Sequence, residues 1–168
     1  MTRRQEQDTA AAVARLEAEY PGWVIQYFVE AELPWEARRM PFQLPASGGF
    51  TWMNAPTPER LGELIGGALQ VEAQILAEEA ALSRLRALRE RFLAAGFTAE
   101  LDAGELTVIA PVGDGPRLSD AVTCRPHLDD DGHLWFFNWR GKPIVEADNV
   151  TDAVVAIGGE LRRVRRDA

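Results

Sequence analysis

The residues best equipped for chemistry are crowded into one stretch of the chain, from Cys124 to Trp139. This stretch holds both histidines of the protein, its single cysteine and a run of three aspartates. Such side chains coordinate metal ions, or supply a nucleophile together with its base. The stretch therefore poses two questions: whether it forms a metal centre, and whether it forms a reactive thiol.

The pair Asp131-Gly132 in this stretch predicts a β-hairpin with a two-residue turn. That register predicts that His127 and His133 point to opposite faces of the hairpin, which excludes a shared metal site. It also predicts that Cys124 is a core residue, because the thiol then lies in one row with apolar side chains: Leu128, Trp135, Phe137 and Trp139. A loop of three or four residues would change these faces, so the prediction depends on the two-residue turn.

The remainder of the chain offers little for catalysis or for cofactor binding. The serines lack a nucleophile-elbow sequence, and the glycines of Gly48-Gly49 and Gly113-Asp-Gly115 form no nucleotide-binding pattern. The sequence thus predicts no catalytic residue, no metal and no cofactor. The alternative is a small-molecule-binding protein or an enzyme, with its site near Arg125, His127 and Asp129.

Composition favours a folded, acidic protein. The 168 residues are 46% hydrophobic and carry a formal net charge of −8. A single cysteine permits no intrachain disulfide, and no apolar run approaches the ~20 residues of a membrane span, so we expect a cytoplasmic protein without a membrane segment. Nucleic-acid binding is disfavoured and kept as a weak alternative, because the basic side chains cluster only near the end of the last helix: Arg162, Arg163, Arg165 and Arg166.

The hydrophobic periodicity predicts an α+β fold in which helices cover antiparallel sheets, in the order α-βββ-α-βββββ-α. A first helix follows Asp8-Thr9 and ends before Pro21, and a last helix begins at Asn149 or Thr151. A long helix between them spans 57–95. The strands are predicted over 23–29, 35–40, 50–53, 97–101, 106–109, 121–125, 134–137 and 143–146.

A helix over 57–95 would be a rod of roughly 58 Å, which is long for a compact domain of this size. We expect breaks at Gly66-Gly67 or Glu78-Glu79, and a bent helix that joins an N-terminal half, 1–75, to a C-terminal half, 76–168. The alternative is a protruding helix that pairs with a second copy of the chain.

A short repeat suggests that the two halves are duplicated. Ile65-Gly66-Gly67-Ala68-Leu69 matches Ile157-Gly158-Gly159-Glu160-Leu161 at an offset of 92 residues. Glycine within a helix costs about 1 kcal/mol relative to alanine. We therefore expect each glycine pair to let its helix approach its own sheet closely.

Two resemblances bear on this reading. The run Leu16-Glu-Ala-Glu-Tyr-Pro-Gly-Trp-Val24, with Trp35-Glu-Ala-Arg-Arg39 and Thr57-Pro58-Glu59, resembles small uncharacterised proteins of actinobacteria over about the first 65 residues, and implies no activity. The order of elements is similar to that of type III secretion chaperones and YbjN-like domains. That likeness implies a chaperone-like role in protein binding.

The leading hypothesis is a non-catalytic protein-binding or regulatory module, with an unknown protein partner and a homodimeric state. Its tryptophans either pack in the core or form an exposed aromatic patch, and for Trp35, whose neighbours are charged, both readings stay open. The predicted binding surface combines strand residues of the first half with the apolar stripe of the long helix: Trp35, Arg39, Trp52, Leu82, Leu85 and Phe92.

Overall fold

The computed structural model describes residues 2–40, 49–111 and 118–164, with 163 and 164 described by backbone alone. In these residues the α+β prediction is confirmed, with three helices and two antiparallel sheets in the predicted order. The elements are α1 Arg3–Glu19, β1 Trp23–Tyr27, β2 Trp35–Arg39, β3 Trp52–Ala55, α2 Pro58–Ala94, β4 Thr98–Asp102, β5 Glu105–Ile109, β6 Ser119–Pro126, β7 Leu134–Phe137, β8 Pro143–Glu146 and α3 Val150–Val164.

The chain divides into two compact units, Met1–Leu76 and Ala77–Ala168. The first unit contains α1, β1, β2, β3 and the beginning of α2. The second contains the end of α2, the remaining five strands and α3. Each unit has its own hydrophobic core.

The first unit is a three-stranded antiparallel sheet in the order β1-β2-β3. Alternate residues of each strand point towards the helices and are buried, as the two-residue period of a strand requires. The buried strand residues are Trp23, Ile25, Trp35, Ala37, Met53 and Ala55, and the helices contribute Leu16, Leu61, Ile65 and Ala68.

The second unit is a five-stranded antiparallel meander in the order β4-β5-β6-β7-β8. Its first hairpin has a tight turn, in which Asp102 pairs with Glu105 and both Ala103 and Gly104 have positive φ. One face of the sheet is buried with α2 and α3 residues in a single core: Leu85, Leu88, Phe92, Ala99, Leu106, Val108, Val122, Cys124, Phe136, Ala153, Ile157 and Leu161, among others.

Helix α1 begins earlier than the sequence prediction placed it. Thr2 caps the helix, because its side chain accepts the Gln5 N–H while the Gln5 side chain accepts the Thr2 N–H. The predicted cap at Asp8-Thr9 is therefore wrong, since both residues lie inside the helix. The third strand also begins at Trp52, two residues after its predicted start.

Helix α2 is continuous from Pro58 to Ala94, so the breaks expected at Gly66-Gly67 and Glu78-Glu79 are not found in it. The glycine pairs do not approach a sheet in the way the repeat suggested. A Cβ on Gly66 would lie 3.5 Å from the Tyr20 hydroxyl, and one on Gly158 would lie 3.0 Å from Phe97 Cζ. The close neighbours are aromatic side chains outside the strands, and the duplication stays a prediction.

Some sequence features fall outside the described residues: Gly48, Gly113-Asp-Gly115, Arg165 and Arg166. Among the helices in the described part of the chain, none combines the length and hydrophobicity that crossing a membrane requires.

Candidate functional site

The hydrogen bonds of the first sheet determine which backbone groups face its two edges. The Met40 N–H donates to the Gly22 carbonyl at 2.8 Å, towards β1, and the Arg39 N–H donates to the Thr51 carbonyl at 2.9 Å, towards β3. Since antiparallel pairing alternates along a strand, Thr51, Met53 and Ala55 bond to β2. The backbone groups of the residues between them point the other way.

The outward-pointing groups belong to Trp52 and Asn54, and they form the side of β3 that faces away from β2. We call this side the open edge. No strand among residues 2–40, 49–111 and 118–164 pairs with it. An edge of this kind offers N–H and C=O groups to an additional strand.

The opposite edge of the same sheet is covered. The Ile25 N–H of β1 donates to Glu17 Oε1 of α1 at 3.1 Å. A helix side chain therefore occupies a position that a docking strand would need on β1.

The second sheet protects both of its edges as well. On β4, the Ala99 carbonyl accepts a hydrogen bond from Arg89 Nε of α2 at 3.3 Å. On β8, the first residue is Pro143, which has no N–H, and the register shifts at Phe136/Phe137 of the neighbouring strand. Charged side chains, proline and bulges are the usual means of preventing strand addition. Among the described residues, β3 carries none of them.

An apolar groove runs beside the open edge, on the face of the sheet that packs on α2. Its volume is about 440 Å³, and its walls are Phe50, Met53, Leu64, Gly67, Ala68 and Val71, with Arg60 and Glu63 at the rim. Arg60 Nη1 donates to Glu63 Oε2 at 2.7 Å, so the two rim charges neutralise each other. The groove is thus suited to an uncharged apolar side chain.

On the opposite face of β3, Trp52 is 50% exposed. Its neighbours on the adjacent strand β2 are Arg38, with which it is paired, and Glu36. Burial alone would raise the pKa of Glu36, but hydrogen bonds from Trp52 and from Arg38 Nε, the latter at 2.5 Å, hold that pKa below its ordinary value. Glu36 therefore stays ionised and fixes the indole on the surface.

Arg39, a predicted partner-binding residue, is occupied within its own unit. Its guanidinium donates to both carboxylate oxygens of Glu72, at 3.1 Å and 2.9 Å, and lies 4.9 Å from the centre of a Trp23 ring. Both side chains are largely buried. The pair links β2 to α2.

The other residues of the predicted binding surface divide between core and surface. Trp35, Leu85 and Phe92 are buried, so their predicted role as an exposed surface is wrong. The apolar spacing of the long helix that suggested docking reflects packing in the core of the second unit. Leu82 is half-buried beside β4, and Trp52 alone of the predicted set is largely exposed.

The hairpin that carries the histidines has a different register from the one predicted. Cys124 pairs with Phe136 and Arg125 with Trp135, and the His127 N–H donates to the His133 carbonyl at 2.8 Å. The loop between the histidines holds five residues, because the His127 carbonyl accepts the N–H groups of both Asp130 and Gly132. Relative to the predicted pairing, the two strands are shifted by an odd number of residues. Such a shift turns the side chains of one strand to the opposite face of the hairpin.

In consequence, the imidazoles lie on the same side of the hairpin and not on opposite sides. The His127 ring centre is 5.1 Å from that of Trp135 and 5.8 Å from that of Phe137. His133 joins this side through Asp130, whose Oδ2 is 3.5 Å from His133 Nδ1 and accepts the Trp135 Nε1–H at 2.7 Å.

The residues of the alternative ligand site are only partly brought together. Arg125 lies over the Phe137 ring, 4.3 Å from its centre, and His127 stacks on the same ring. His127 Nδ1 is buried without a hydrogen-bond partner, so ring stacking holds the imidazole. Asp129 is exposed in the loop.

The prediction that Cys124 belongs to the core is confirmed, but its neighbours were wrong. The thiol faces inward with Phe136, whereas Leu128 is 93% exposed and Trp139 is 66% exposed. Burial raises the pKa of Cys124 to about 11, so the thiol is protonated at neutral pH. Within the described residues, no group of three or more His, Cys, Asp or Glu side chains could hold a metal ion.

Sequence reasoning missed the residues that form the groove. Leu64 and Val71 have the spacing of an apolar helix stripe, which is typical of core residues, yet Val71 is 52% exposed. The sequence feature that could have predicted the groove is the apolar stripe of the long helix, which is too wide for a sheet of three short strands to cover.

Comparison with known proteins gave no match to a protein-family model, a curated protein or a solved structure.

Proposed function

We propose that this chain is a protein-binding module that accepts an extended, apolar segment of a partner protein along the open edge of β3. The observation that carries the proposal is the contrast between edges. Glu17 covers β1, Arg89 covers β4, and Pro143 with a bulge protects β8, while β3 presents the backbone of Trp52 and Asn54. Strand addition to such an edge is a common mode of peptide recognition.

The surroundings of the open edge fit the side chains of an added strand. Successive side chains of a strand point to opposite faces, so one set would enter the groove and the other would lie over Trp52. The groove walls are mostly apolar, and the rim charges Arg60 and Glu63 are paired with each other. The segment should therefore alternate, with an aliphatic or aromatic residue at the groove position.

The two kinds of contact would have different roles. Burial of a side chain the size of leucine contributes roughly 1.5–3 kcal/mol, while each neutral backbone hydrogen bond contributes about 0.5–1.5 kcal/mol. The backbone contacts are independent of sequence. The side chain in the groove would therefore supply most of the selectivity between partner segments.

The test is selection from a displayed library of random peptides, followed by binding measurements on two matched variants. Val71→Asp places a charge in the groove, and Leu76→Asp places one outside it on the same helix. Both residues are 52% exposed, so neither substitution removes a buried side chain. We expect enriched peptides to have apolar residues at alternate positions, and to bind Val71→Asp at least tenfold more weakly than Leu76→Asp.

Three results would contradict the proposal. The first is equal binding of the enriched peptides to both variants. The second is enrichment of helical spacing, with apolar residues three and four apart. The third is a dimer of the chain that Val71→Asp dissociates, which would make a second copy the occupant of this edge.

A further inference from the structure

Among the basic side chains of the second unit that form no ion pair in the described part of the chain, which also include Arg86, Arg91 and Arg162, three lie close together. They are Arg125 on β6 and Arg140 and Lys142 in the turn between β7 and β8, and all three are exposed. Elsewhere in the unit, Arg84 pairs with Asp148 and Arg89 with Glu90. In a protein with net charge −8, unpaired cations close together are a notable local reversal of sign.

The turn brings these cations together. The Asn138 side-chain oxygen accepts the N–H groups of Arg140 and Lys142, each at 3.0 Å, and so fixes both residues. Gly141 lies between them with a φ of +71°, and a Cβ placed on it would be 3.6 Å from a guanidinium nitrogen of Arg125. Arg125 therefore lies directly over the turn, and the three residues form one cation patch.

Both guanidinium groups of the patch are held by aromatic rings. Arg125 Cζ is 4.3 Å from the centre of Phe137, and Arg140 Cζ is 4.7 Å from the centre of a Trp139 ring. A guanidinium that lies over an aromatic ring still has N–H groups that can bind an oxyanion. Because the rings already restrict these side chains, less conformational entropy is lost on binding.

We propose that the cation patch of Arg125, Arg140 and Lys142 docks a short carboxylate-rich segment of a partner protein. The charges are complementary, and the paired N–H groups of a guanidinium match the two-oxygen geometry of Asp and Glu carboxylates. This surface belongs to the second unit, and the inference does not depend on the function proposed for the open edge of β3.

The surroundings of the patch favour an acidic peptide over a nucleic acid. Next to it, the Asp120 carboxylate accepts the Trp139 N–H, and Asp120 and Glu160 line a small cavity with Trp139. A nucleic-acid strand carries phosphates along its whole length, and the carboxylates beside Trp139 would repel any phosphate that reached them. A peptide with only two or three acidic residues can place all of its negative charge on the cation patch, so it avoids these carboxylates.

The test is a titration with three defined probes at low ionic strength. The probes are a ten-residue peptide with three consecutive Glu between Gly and Ser residues, the same peptide with Gln in place of Glu, and a ten-nucleotide thymidine strand. Binding is followed by NMR at the Gly141 amide and the Arg125 and Arg140 Nε–H groups. We expect the Glu peptide to bind most tightly, and added salt to weaken it.

Variants separate a specific site from general charge attraction. Arg125→Gln and Lys142→Gln should each weaken the Glu peptide about tenfold, whereas Arg86→Gln, an exposed residue on α2 with the same change of charge, should have little effect. Lys142 forms its hydrogen bonds through its backbone, which Lys142→Gln retains, so this variant remains informative even if the loss of Arg125 disturbs Phe137.

The proposal is overturned if the Glu and Gln peptides bind equally, or if the thymidine strand binds more tightly than the Glu peptide. It is also overturned if Arg86→Gln weakens binding as much as Lys142→Gln does.

Discussion

The two edges of the three-stranded sheet differ in what covers them. On β1, the N–H of Ile25 is bonded to the Glu17 carboxylate of α1. On β3, the groups of Trp52 and Asn54 face outward, beside an apolar groove and below an exposed indole. Edges exposed to solvent are an aggregation hazard that folded proteins ordinarily block. The proposal of a binding surface rests on this contrast, because the other sheet edges among the described residues are blocked.

The largest effect is expected in the strand between these two edges. Trp35→Ala should lower the free energy of unfolding by about 3–5 kcal/mol, because the side chain is buried in the core behind both edges. Trp52→Ala, on the exposed face of the open edge, should cost less than about 1 kcal/mol. Urea denaturation of the two variants measures the difference, and similar costs would mean that Trp52 is covered.

The next effect concerns the ion pair that joins β2 to α2 beside the groove. Arg39→Met leaves the Glu72 carboxylate buried without its partner and should cost about 3 kcal/mol. Arg60→Met breaks an exposed pair at the groove rim and should cost less than about 1 kcal/mol. A double variant, Arg39→Met with Glu72→Met, should recover part of the loss. If it is no more stable than Arg39→Met, the buried charge is not the cause.

A smaller effect is expected from uncovering the closed edge. Glu17→Ala removes the acceptor for the Ile25 N–H and should lower the free energy of unfolding by about 1 kcal/mol. Glu17→Gln keeps an acceptor oxygen and should lose less. Thermal unfolding of both variants checks this, and indistinguishable melting temperatures would show that Glu17 does not close the edge.

The smallest effect at neutral pH is expected from the buried face of the second sheet. Because burial raises the pKa of Cys124 from 9.0 to about 11, the folded chain holds the thiol proton more tightly than the unfolded chain does. Stability should therefore be unaffected by this group below pH 9 and should fall as the pH rises from about 9 to 11.

Cys124→Ala provides the reference for that pH dependence. Its stability should decline less than that of the natural chain over the same interval, measured by urea denaturation at each pH. Parallel declines would mean that the thiol is accessible to solvent.

Much of the architecture could be predicted from periodicity and turn residues. The tight turn at Ala103-Gly104 and the element order follow from local sequence. The hairpin register did not, because Asp131-Gly132 has the same signature but closes a five-residue loop, in which Asp130 is drawn towards Trp135 and His133. A turn signature specifies backbone conformation locally. The contacts of Asp130 involve residues outside the Asp131-Gly132 pair, so that pair alone does not specify them.

The candidate site was less predictable for a related reason. A helix stripe that packs in a core and one that borders a groove have the same spacing, so Leu85 and Val71 could not be separated by pattern. Likewise, whether a sheet edge is covered depends on a side chain from another element. On β1, for example, the Glu17 side chain of α1 accepts the Ile25 N–H. Such coverage is a tertiary property that periodicity does not encode.

Amide hydrogen exchange of the free protein, resolved by residue, tests the open edge most directly. The Ile25 amide, bonded to Glu17, should exchange slowly, and the amides of Trp52 and Asn54 should exchange nearly as fast as in an unstructured peptide. If Trp52 and Asn54 are protected as strongly as Ile25, the edge is already occupied and the proposed mode of binding is wrong.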